Sequence, residues 1–154
     1  GLSIQQISVL IHPQSIIHSM VAYRDGSVMA QLGIPDMKTA IAYALSHPER
    51  LNLVQPLPDF ARIGSFTFEN PDMDRFPCLQ LALDACHTGG TLPAVMNAAN
   101  EAAVQAFLNR EIPFTDIPKR IDRTMQRHPV RQNPSLDDIL HADQWARRVW
   151  NEED

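Results

Sequence analysis

The sequence has few of the features that mark several common classes of protein. It has only two cysteines, Cys78 and Cys86, among 154 residues. If both lie on one helix, their Cα atoms are about 12 Å apart, whereas a disulfide needs about 7 Å or less. We therefore expect free thiols, which are usual in the cytosol. No apolar run approaches about 18 residues and no signal-peptide pattern opens the chain, so we expect neither a membrane span nor secretion.

The chain also lacks an excess of positive charge. Its 13 Lys and Arg residues are outnumbered by 18 Asp and Glu residues, for a formal net charge of −5. This balance gives no electrostatic reason to bind nucleic acid or an anionic membrane. The 44% hydrophobic and 20% charged residues are typical of a globular protein rather than a disordered one.

What the chain does contain begins with β structure over residues 5–34. Ile7, Val9 and Ile11 alternate with other residues, as in a half-buried strand. Asp25-Gly26 predicts a hairpin with a two-residue turn, which pairs Tyr23 with Val28. One face of the predicted hairpin is a core face, with Ile17, Val21, Tyr23, Val28, Ala30 and Leu32. The other face is less apolar and carries more polar groups, with His18, Met20, Ala22, Met29 and Gln31.

Helical patterns follow the hairpin. Asp36 can cap a helix that ends at Pro48, and a proline-rich connector with one short strand at residues 64–68 comes next. From Pro77 onward the apolar period is helical, with stops at Gly89-Gly90 and a capping box at 135–138. We predict an α+β fold: a small antiparallel hairpin with a helix, a proline-rich connector, and a carboxy-terminal four-helix bundle.

The residues by themselves reveal no self-contained active site. His12 and His18 are six residues apart across a proline, a spacing that does not favour a metal site. His18 is either a residue facing a site or a hydrogen-bonded core histidine. Asn97, Asn100 and Glu101 share one helix face; they form either a ligand site or, as we favour, an interhelical hydrogen-bond network. No phosphate-binding loop, G-x-G-x-x-G or G-x-S-x-G motif occurs.

Several ordered segments of the sequence nevertheless form a recognisable series. The run IHPQSIIHSMV at residues 11–21 is followed without a gap by YRDGS at 23–27 and AQLGIPDM at 30–37. Further blocks are FTF at 66–68, DRFPCL at 74–79 and NAANE at 97–101. In content and order these segments resemble one enzyme family, 1-deoxy-D-xylulose 5-phosphate reductoisomerase. The resemblance covers roughly residues 3–154 and is weakest after Met125.

The resemblance implies the carboxy-terminal part of a three-part enzyme. The family uses NADPH and a divalent metal, magnesium or manganese, to convert 1-deoxy-D-xylulose 5-phosphate to 2-C-methyl-D-erythritol 4-phosphate in non-mevalonate isoprenoid biosynthesis. By the family pattern His18 lines the pocket and Met37 packs near the nicotinamide, with Pro35 beside it. The family's metal ligands, phosphate cradle and dinucleotide fold precede the IHPQS block. We therefore expect no catalytic or metal residue in this chain, no tight binding of cofactor, and no turnover by the chain alone.

The resemblance also implies a division of the chain and a set of partners. Residues 1–47 correspond to the end of the catalytic and dimerisation domain, 48–75 to a connector, and 76–154 to the helical domain. We expect a homodimer or higher species, a sugar phosphate only in the complete enzyme, and no nucleic acid or membrane. The expected location is the bacterial cytoplasm, or the plastid for a plant or apicomplexan protein. The alternative is a non-catalytic module for dimerisation or protein interaction.

Overall fold

The computed structural model describes residues 3–151, which form two compact units. One unit comprises residues 9–71, here called the hairpin unit. The other, here called the helical unit, combines residues 3–8 with residues 72–151. The predicted α+β class, with one hairpin and a carboxy-terminal set of four helices, is confirmed. The functional division at 1–47, 48–75 and 76–154 stays a prediction, and its ends at 1–2 and 152–154 lie outside the described residues.

The hairpin consists of β1 (Ile17–Ala22) and β2 (Val28–Leu32). The predicted register is wrong by one residue, because Ala22, not Tyr23, pairs with Val28. The loop has three residues rather than two. Tyr23 N bonds Ser27 O at 2.8 Å and Gly26 N bonds Tyr23 O at 3.1 Å. Gly26 has a φ of 86°, the left-handed conformation that a three-residue hairpin loop requires at this position.

The register change alters which residues share a face. Val21 now pairs with Met29 rather than with Ala30, so the predicted core face is wrong. The hairpin is also largely exposed: Val21 is 56% and Val28 58% accessible. Within residues 3–151 no third strand or helix covers it, and these apolar side chains therefore lack a core to enter.

Two other predicted strands are also wrong. Residues 4–6 form a single turn of 3₁₀ helix, and the following segment is extended without a neighbouring strand until Ile11. Ile11 makes one isolated antiparallel bridge with Glu69. The predicted strand at 64–68 is likewise irregular and follows a four-residue helix, α2 (Phe60–Ile63). The alternation of apolar residues was not enough to make these segments strands, since a strand needs a neighbouring strand along its length to satisfy its backbone hydrogen bonds.

The first helix, α1 (Met37–Ser46), begins and ends where the sequence predicts. Asp36 caps it by accepting a hydrogen bond from Lys38 N at 2.9 Å. The helix stops before Pro48, because a proline disfavours the helical conformation in the residue before it. Its apolar stripe is not buried: Met37 and Leu45 are 69% and 84% accessible.

The helical unit holds the core. It contains α3 (Pro77–Thr88), α4 (Leu92–Leu108), α5 (Ile117–Arg127) and α6 (Leu136–Asn151). Helix α4 lies against the other three, and its alanines are small enough to allow the neighbouring helices close approach. The fully buried residues of this core include Val95, Ala98, Ala99, Ala103, Ile121, Thr124 and Ala146. Cys78 and Cys86 both lie on α3 and are free.

Loops at one end of the bundle are joined by buried polar contacts. Thr91 N bonds Arg131 O at 3.1 Å, and Arg131 N bonds Thr91 Oγ1 at 3.1 Å. His128 Nε2 lies 2.7 Å from the same hydroxyl. The predicted helix stop at Gly89-Gly90 is confirmed, and the predicted capping box joins Ser135 and Asp138 reciprocally at 2.9 and 3.2 Å.

Candidate functional site

The three residues singled out by the resemblance line one cleft in the hairpin unit. His18, Pro35 and Met37 surround a space of about 940 Å³. The bulged start of β1 supplies one wall, the turn at 33–36 and α1 supply a second, and the extended residues 50–58 supply the third. Sequence positions up to 43 residues apart, from Ser15 to Pro58, are therefore brought to one concave surface.

A β-bulge at His18 sets the direction of its ring. Ile17 pairs with Leu32 and Ser19 with Gln31, so His18 is an extra residue without a partner of its own. Its Nε2 lies 3.0 Å from Ser15 O, and its Nδ1 lies 3.1 Å from Gln31 Oε1. Both partners are oxygen acceptors, so a neutral ring donates to one of them at a time, and the side chain remains exposed rather than being a core histidine.

The turn at 33–36 presents Pro35 and Met37 to the cleft. Asp36 Oδ1 accepts from Lys38 N at 2.9 Å, and Oδ2 accepts from Gln55 Nε2 at 3.0 Å. The backbone hydrogen bond from Lys38 and, less strongly, the amide of Gln55 hold the pKa of Asp36 below its usual value. An ionised Asp36 therefore joins the start of α1 to the extended wall and fixes the residues on either side of it.

The extended wall contributes residues that the sequence analysis did not single out. Arg50 lies over the ring of Tyr43 at 4.3 Å, and both line the cleft. Leu51, Leu53 and Pro56 add apolar surface. No spacing rule connects these residues to the hairpin; the only local signal was the proline-rich composition that predicts an extended chain.

Ser15 is a further lining residue that the sequence analysis did not single out. It has a φ of 51°, which is uncommon for a residue with a side chain. Its carbonyl, not its hydroxyl, makes the contact with His18. Gly33 lies beside this group: a Cβ there would be 3.5 Å from Gln31 Nε2 and 3.9 Å from His18 Cε1.

The chain's own side chains do not fit a divalent metal. Among residues 3–151, no group of three or more His, Cys, Asp or Glu side chains is gathered closely enough to hold an ion. His12 Nδ1 lies 3.0 Å from Thr67 O. Pro35, Met37 and Leu51 give the cleft an apolar part.

Asn97 and Glu101 belong to an interhelical network, as favoured from the sequence. Asn97 Nδ2 donates to Glu101 Oε1 at 3.1 Å, and Arg147 Nη2 of α6 donates to Glu101 Oε2 at 2.6 Å. Arg147 also pairs with Asp143 at 2.9 Å. The guanidinium of Arg147, and then the amide of Asn97, lower the pKa of Glu101. Asn100 shares the helix face, half-buried.

None of the helices found between residues 3 and 151 has the length and apolar character needed to cross a membrane.

Comparison with protein-family models identifies residues 32–149 as a DXP reductoisomerase C-terminal domain. Relatives include 1-deoxy-D-xylulose 5-phosphate reductoisomerase from Desulfosudis oleivorans, 61% identical over 142 residues, which is 92% of this chain and 37% of that protein. The enzyme of the same name from Chlorobium phaeovibrioides is 59% identical over 144 residues, which is 94% of this chain and 38% of that protein. The chain thus spans less than two-fifths of the length of these relatives.

Solved structures give the same result for the fold. The reductoisomerase from Zymomonas mobilis in complex with NADPH is 45% identical, with a TM-score of 0.84 over 94% of this chain and 38% of that one. A DOX-P reductoisomerase in complex with NADPH, fosmidomycin and magnesium is 39% identical, with a TM-score of 0.89 over 98% of this chain and 39% of that one.

Proposed function

Because this chain belongs to the family of the DXP reductoisomerase C-terminal domain, we propose that it supplies one wall of that enzyme's pocket and the helical domain attached to it. The complete protein would convert 1-deoxy-D-xylulose 5-phosphate to 2-C-methyl-D-erythritol 4-phosphate. The observation that carries the proposal is the single cleft that brings together His18, Pro35 and Met37, positions chosen from the resemblance alone.

Each of these residues has a role in the proposal that follows from its surroundings. His18 presents an exposed ring beside two oxygen acceptors, Ser15 O and Gln31 Oε1; a neutral ring donates to only one of them, so its other nitrogen is left to contact a polar substrate group. Met37 and Pro35 offer an apolar, polarisable surface that excludes water from a planar ring. NADPH, when bound in the complete protein, supplies the hydride. Within residues 3–151, no group of three or more His, Cys, Asp or Glu side chains is gathered closely enough to hold the metal.

We infer that the chain alone has no turnover, since a ketose phosphate needs charge stabilisation that these residues do not provide. The test mixes the chain with NADPH, Mn²⁺ and 1-deoxy-D-xylulose 5-phosphate and follows NADPH absorbance. No loss is expected. Substrate-dependent loss of absorbance would refute the inferred inactivity.

A chimera tests the proposed role itself. This chain replaces the matching carboxy-terminal segment of the Desulfosudis oleivorans relative, with which it shares 61% identity over 142 residues. We expect NADPH consumption that fosmidomycin inhibits. His18→Ala should lower kcat about tenfold or more, and Met37→Ala should raise the KM for NADPH. An inactive but folded chimera would contradict the proposal.

Matched variants control for general damage to the chimera. His87 is an exposed histidine on α3, outside the cleft, and Leu45 is exposed on the same helix as Met37. His87→Ala and Leu45→Ala should leave kcat and KM unchanged. If His87→Ala lowers kcat as much as His18→Ala does, the role assigned to His18 is wrong.

The exposed hairpin supports a second, compatible role in self-association. Val21, Val28 and Met29 leave apolar area on an unpaired two-stranded sheet, a surface that usually becomes covered. We propose that a second copy of the chain covers it. Light scattering at micromolar concentration should show a dimer or larger species that Met29→Lys dissociates; a monodisperse monomer would exclude this role.

A further inference from the structure

A polar clamp joins two segments of the hairpin unit that are more than 50 residues apart. The clamp is defined by Gln14 on one side and Thr67 on the other. Gln14 Oε1 accepts from Thr67 N at 3.1 Å, and Gln14 Nε2 donates to Thr67 Oγ1 at 2.9 Å. One side-chain amide therefore binds both the backbone and the hydroxyl of a single residue, an arrangement specific to an amide facing a Thr or Ser.

The remaining polar group of Thr67 is engaged by the same segment. His12 Nδ1 lies 3.0 Å from Thr67 O, so this nitrogen carries the proton and donates. The His12 ring stacks on Phe68 with a centroid distance of 4.9 Å and meets Phe66 edge-on at 5.5 Å. The bridge between Ile11 and Glu69 continues the contact on the backbone, at 2.9 and 3.0 Å. Residues 11–14 are thus joined to residues 66–69 by both side-chain and backbone contacts.

The next residue holds an unfavourable backbone conformation. Ser15 has a φ of 51°, a left-handed conformation that is unfavourable for a residue with a Cβ. Ser15 N donates to His12 O at 3.0 Å, closing the turn over Pro13. Such a conformation persists only where neighbouring contacts determine it. Here those contacts are the ones that hold residues 12 and 14.

The conformation of Ser15 places the acceptor for His18. The Ser15 carbonyl lies 3.0 Å from His18 Nε2, so the direction of this carbonyl sets the ring plane in the cleft. A continuous set of contacts therefore runs from Thr67 through Gln14 and the Ser15 backbone to His18. Thr67 itself is not one of the residues lining the cleft.

We propose that Gln14 and Thr67 are positioning residues that fix the imidazole of His18 through the backbone of Ser15. The functional meaning of this arrangement rests on the proposed function, in which His18 lines the substrate pocket. The arrangement itself can be measured in the 154-residue chain without any activity.

The experiment is NMR on the isotope-labelled chain near neutral pH, comparing wild type with Thr67→Val, Thr67→Ser and Gln14→Leu. Valine keeps the shape of threonine but removes the hydroxyl, whereas serine keeps the hydroxyl. One readout is the His18 Nε2 proton, which is visible when a hydrogen bond slows its exchange with water. The other is the one-bond Cα–Hα coupling of Ser15, which distinguishes positive from negative φ.

The wild-type chain and Thr67→Ser should show the His18 ring proton and a positive φ at Ser15. Thr67→Val and Gln14→Leu should lose the ring proton and shift the Ser15 coupling towards the value for negative φ. The amide signals of Tyr23 and Gly26, whose N–H groups close the hairpin loop, report whether the strands remain paired. His128, in the helical unit, is the internal control and should not change.

Two results would overturn the proposal. If Thr67→Val keeps the His18 ring proton and the Ser15 coupling at their wild-type values, the clamp does not act on His18. If the Tyr23 and Gly26 signals collapse together with the His18 signal, Thr67 only stabilises the fold. Both results are independent of the chimera, whose inactivity would instead contradict the proposed function.

Discussion

The hairpin unit and the helical unit bury their apolar side chains very differently. In the helical unit, Val95 and Ile121 have no accessible surface, and α4 packs against three neighbouring helices. In the hairpin unit, Val21 and Val28 are largely exposed although the hairpin pattern predicts that both lie on a core face. A periodic apolar pattern therefore indicates which face will be covered, but not by which part of a protein.

The sequence provides separate fluorescent probes for the two units. Both tryptophans, Trp145 and Trp150, belong to the helical unit, and both tyrosines, Tyr23 and Tyr43, belong to the hairpin unit. Unfolding of each unit can therefore be followed by its own signal in one denaturant titration. The predictions below use this separation.

The largest effect is expected from removing core volume in the helical unit. Ile121→Ala should lower its free energy of unfolding by about 2–5 kcal/mol, the usual cost of a cavity at a fully buried isoleucine. The matched variant Ile41→Ala, on exposed α1, should change the tyrosine transition by no more than about 0.5 kcal/mol. Urea titrations of both variants check this, and similar losses from the two would remove the contrast between the units.

A comparable effect is expected at the loop end of the bundle. Gly90 has a φ of 60°, and a Cβ there would meet the backbone carbonyl of Arg131. Gly90→Ala should therefore cost about 1–2 kcal/mol for the backbone conformation and about 1–3 kcal/mol more for the clash. Gly89→Ala, with a φ of 67°, a ψ of −149° and open space around it, should cost only a backbone term of about 1–3 kcal/mol. Equal midpoints in urea for the two variants would show that the loop end relaxes freely.

The smallest effect is expected in the dependence of the helical unit's stability on pH. Burial lowers the pKa of His128, whose Nδ1 is buried and has no hydrogen-bond partner within the described residues. The unfolded chain therefore binds a proton more readily than the folded one. The stability of the helical unit should be complete above the unfolded pKa of about 6.5 and fall as the pH drops towards the lower folded value, with a slope of at most about 1.4 kcal/mol per pH unit.

Trp145 supplies the measurement, since its ring lies 4.9 Å from that of His128. Urea midpoints from tryptophan emission, collected across this pH range, should fall in the wild type. In His128→Gln, which can keep a hydrogen bond to Thr91, the fall should be smaller. The tyrosine transition of the hairpin unit reports effects unrelated to His128. If the urea midpoints of wild type and variant fall in parallel with pH, groups other than His128 cause the pH dependence.

Part of the structure was predictable because local rules decide it. Asp36 caps α1, Pro48 stops it, and the Ser135 capping box opens α6, each through contacts among residues adjacent in the chain. The grouping of Asn97 with Glu101 also followed from helical spacing. The partner of Glu101, Arg147, did not, because 46 residues separate them.

Other features were mispredicted or missed for physical reasons. The hairpin register depended on whether Gly26 served a two- or three-residue loop, and both loops are compatible with Asp-Gly. The strand expected at 5–11 lacks a continuous partner, and the one expected at 64–68 is irregular, so alternation around Ile7 was not sufficient. Arg50, in the segment 50–58, and Tyr43, on α1, also line the cleft, and no spacing in the sequence connects either of them to His18.

The sequence by itself determined where α1 begins and ends, where α3 ends and where α6 begins, and which enzyme family the chain resembles, because caps, breakers and ordered motifs act over a few residues. Only the tertiary structure decided the bulge at His18, the left-handed Ser15 and the clamp between Gln14 and Thr67. The clamp joins segments more than 50 residues apart, and such bonds form only when the whole unit closes around them.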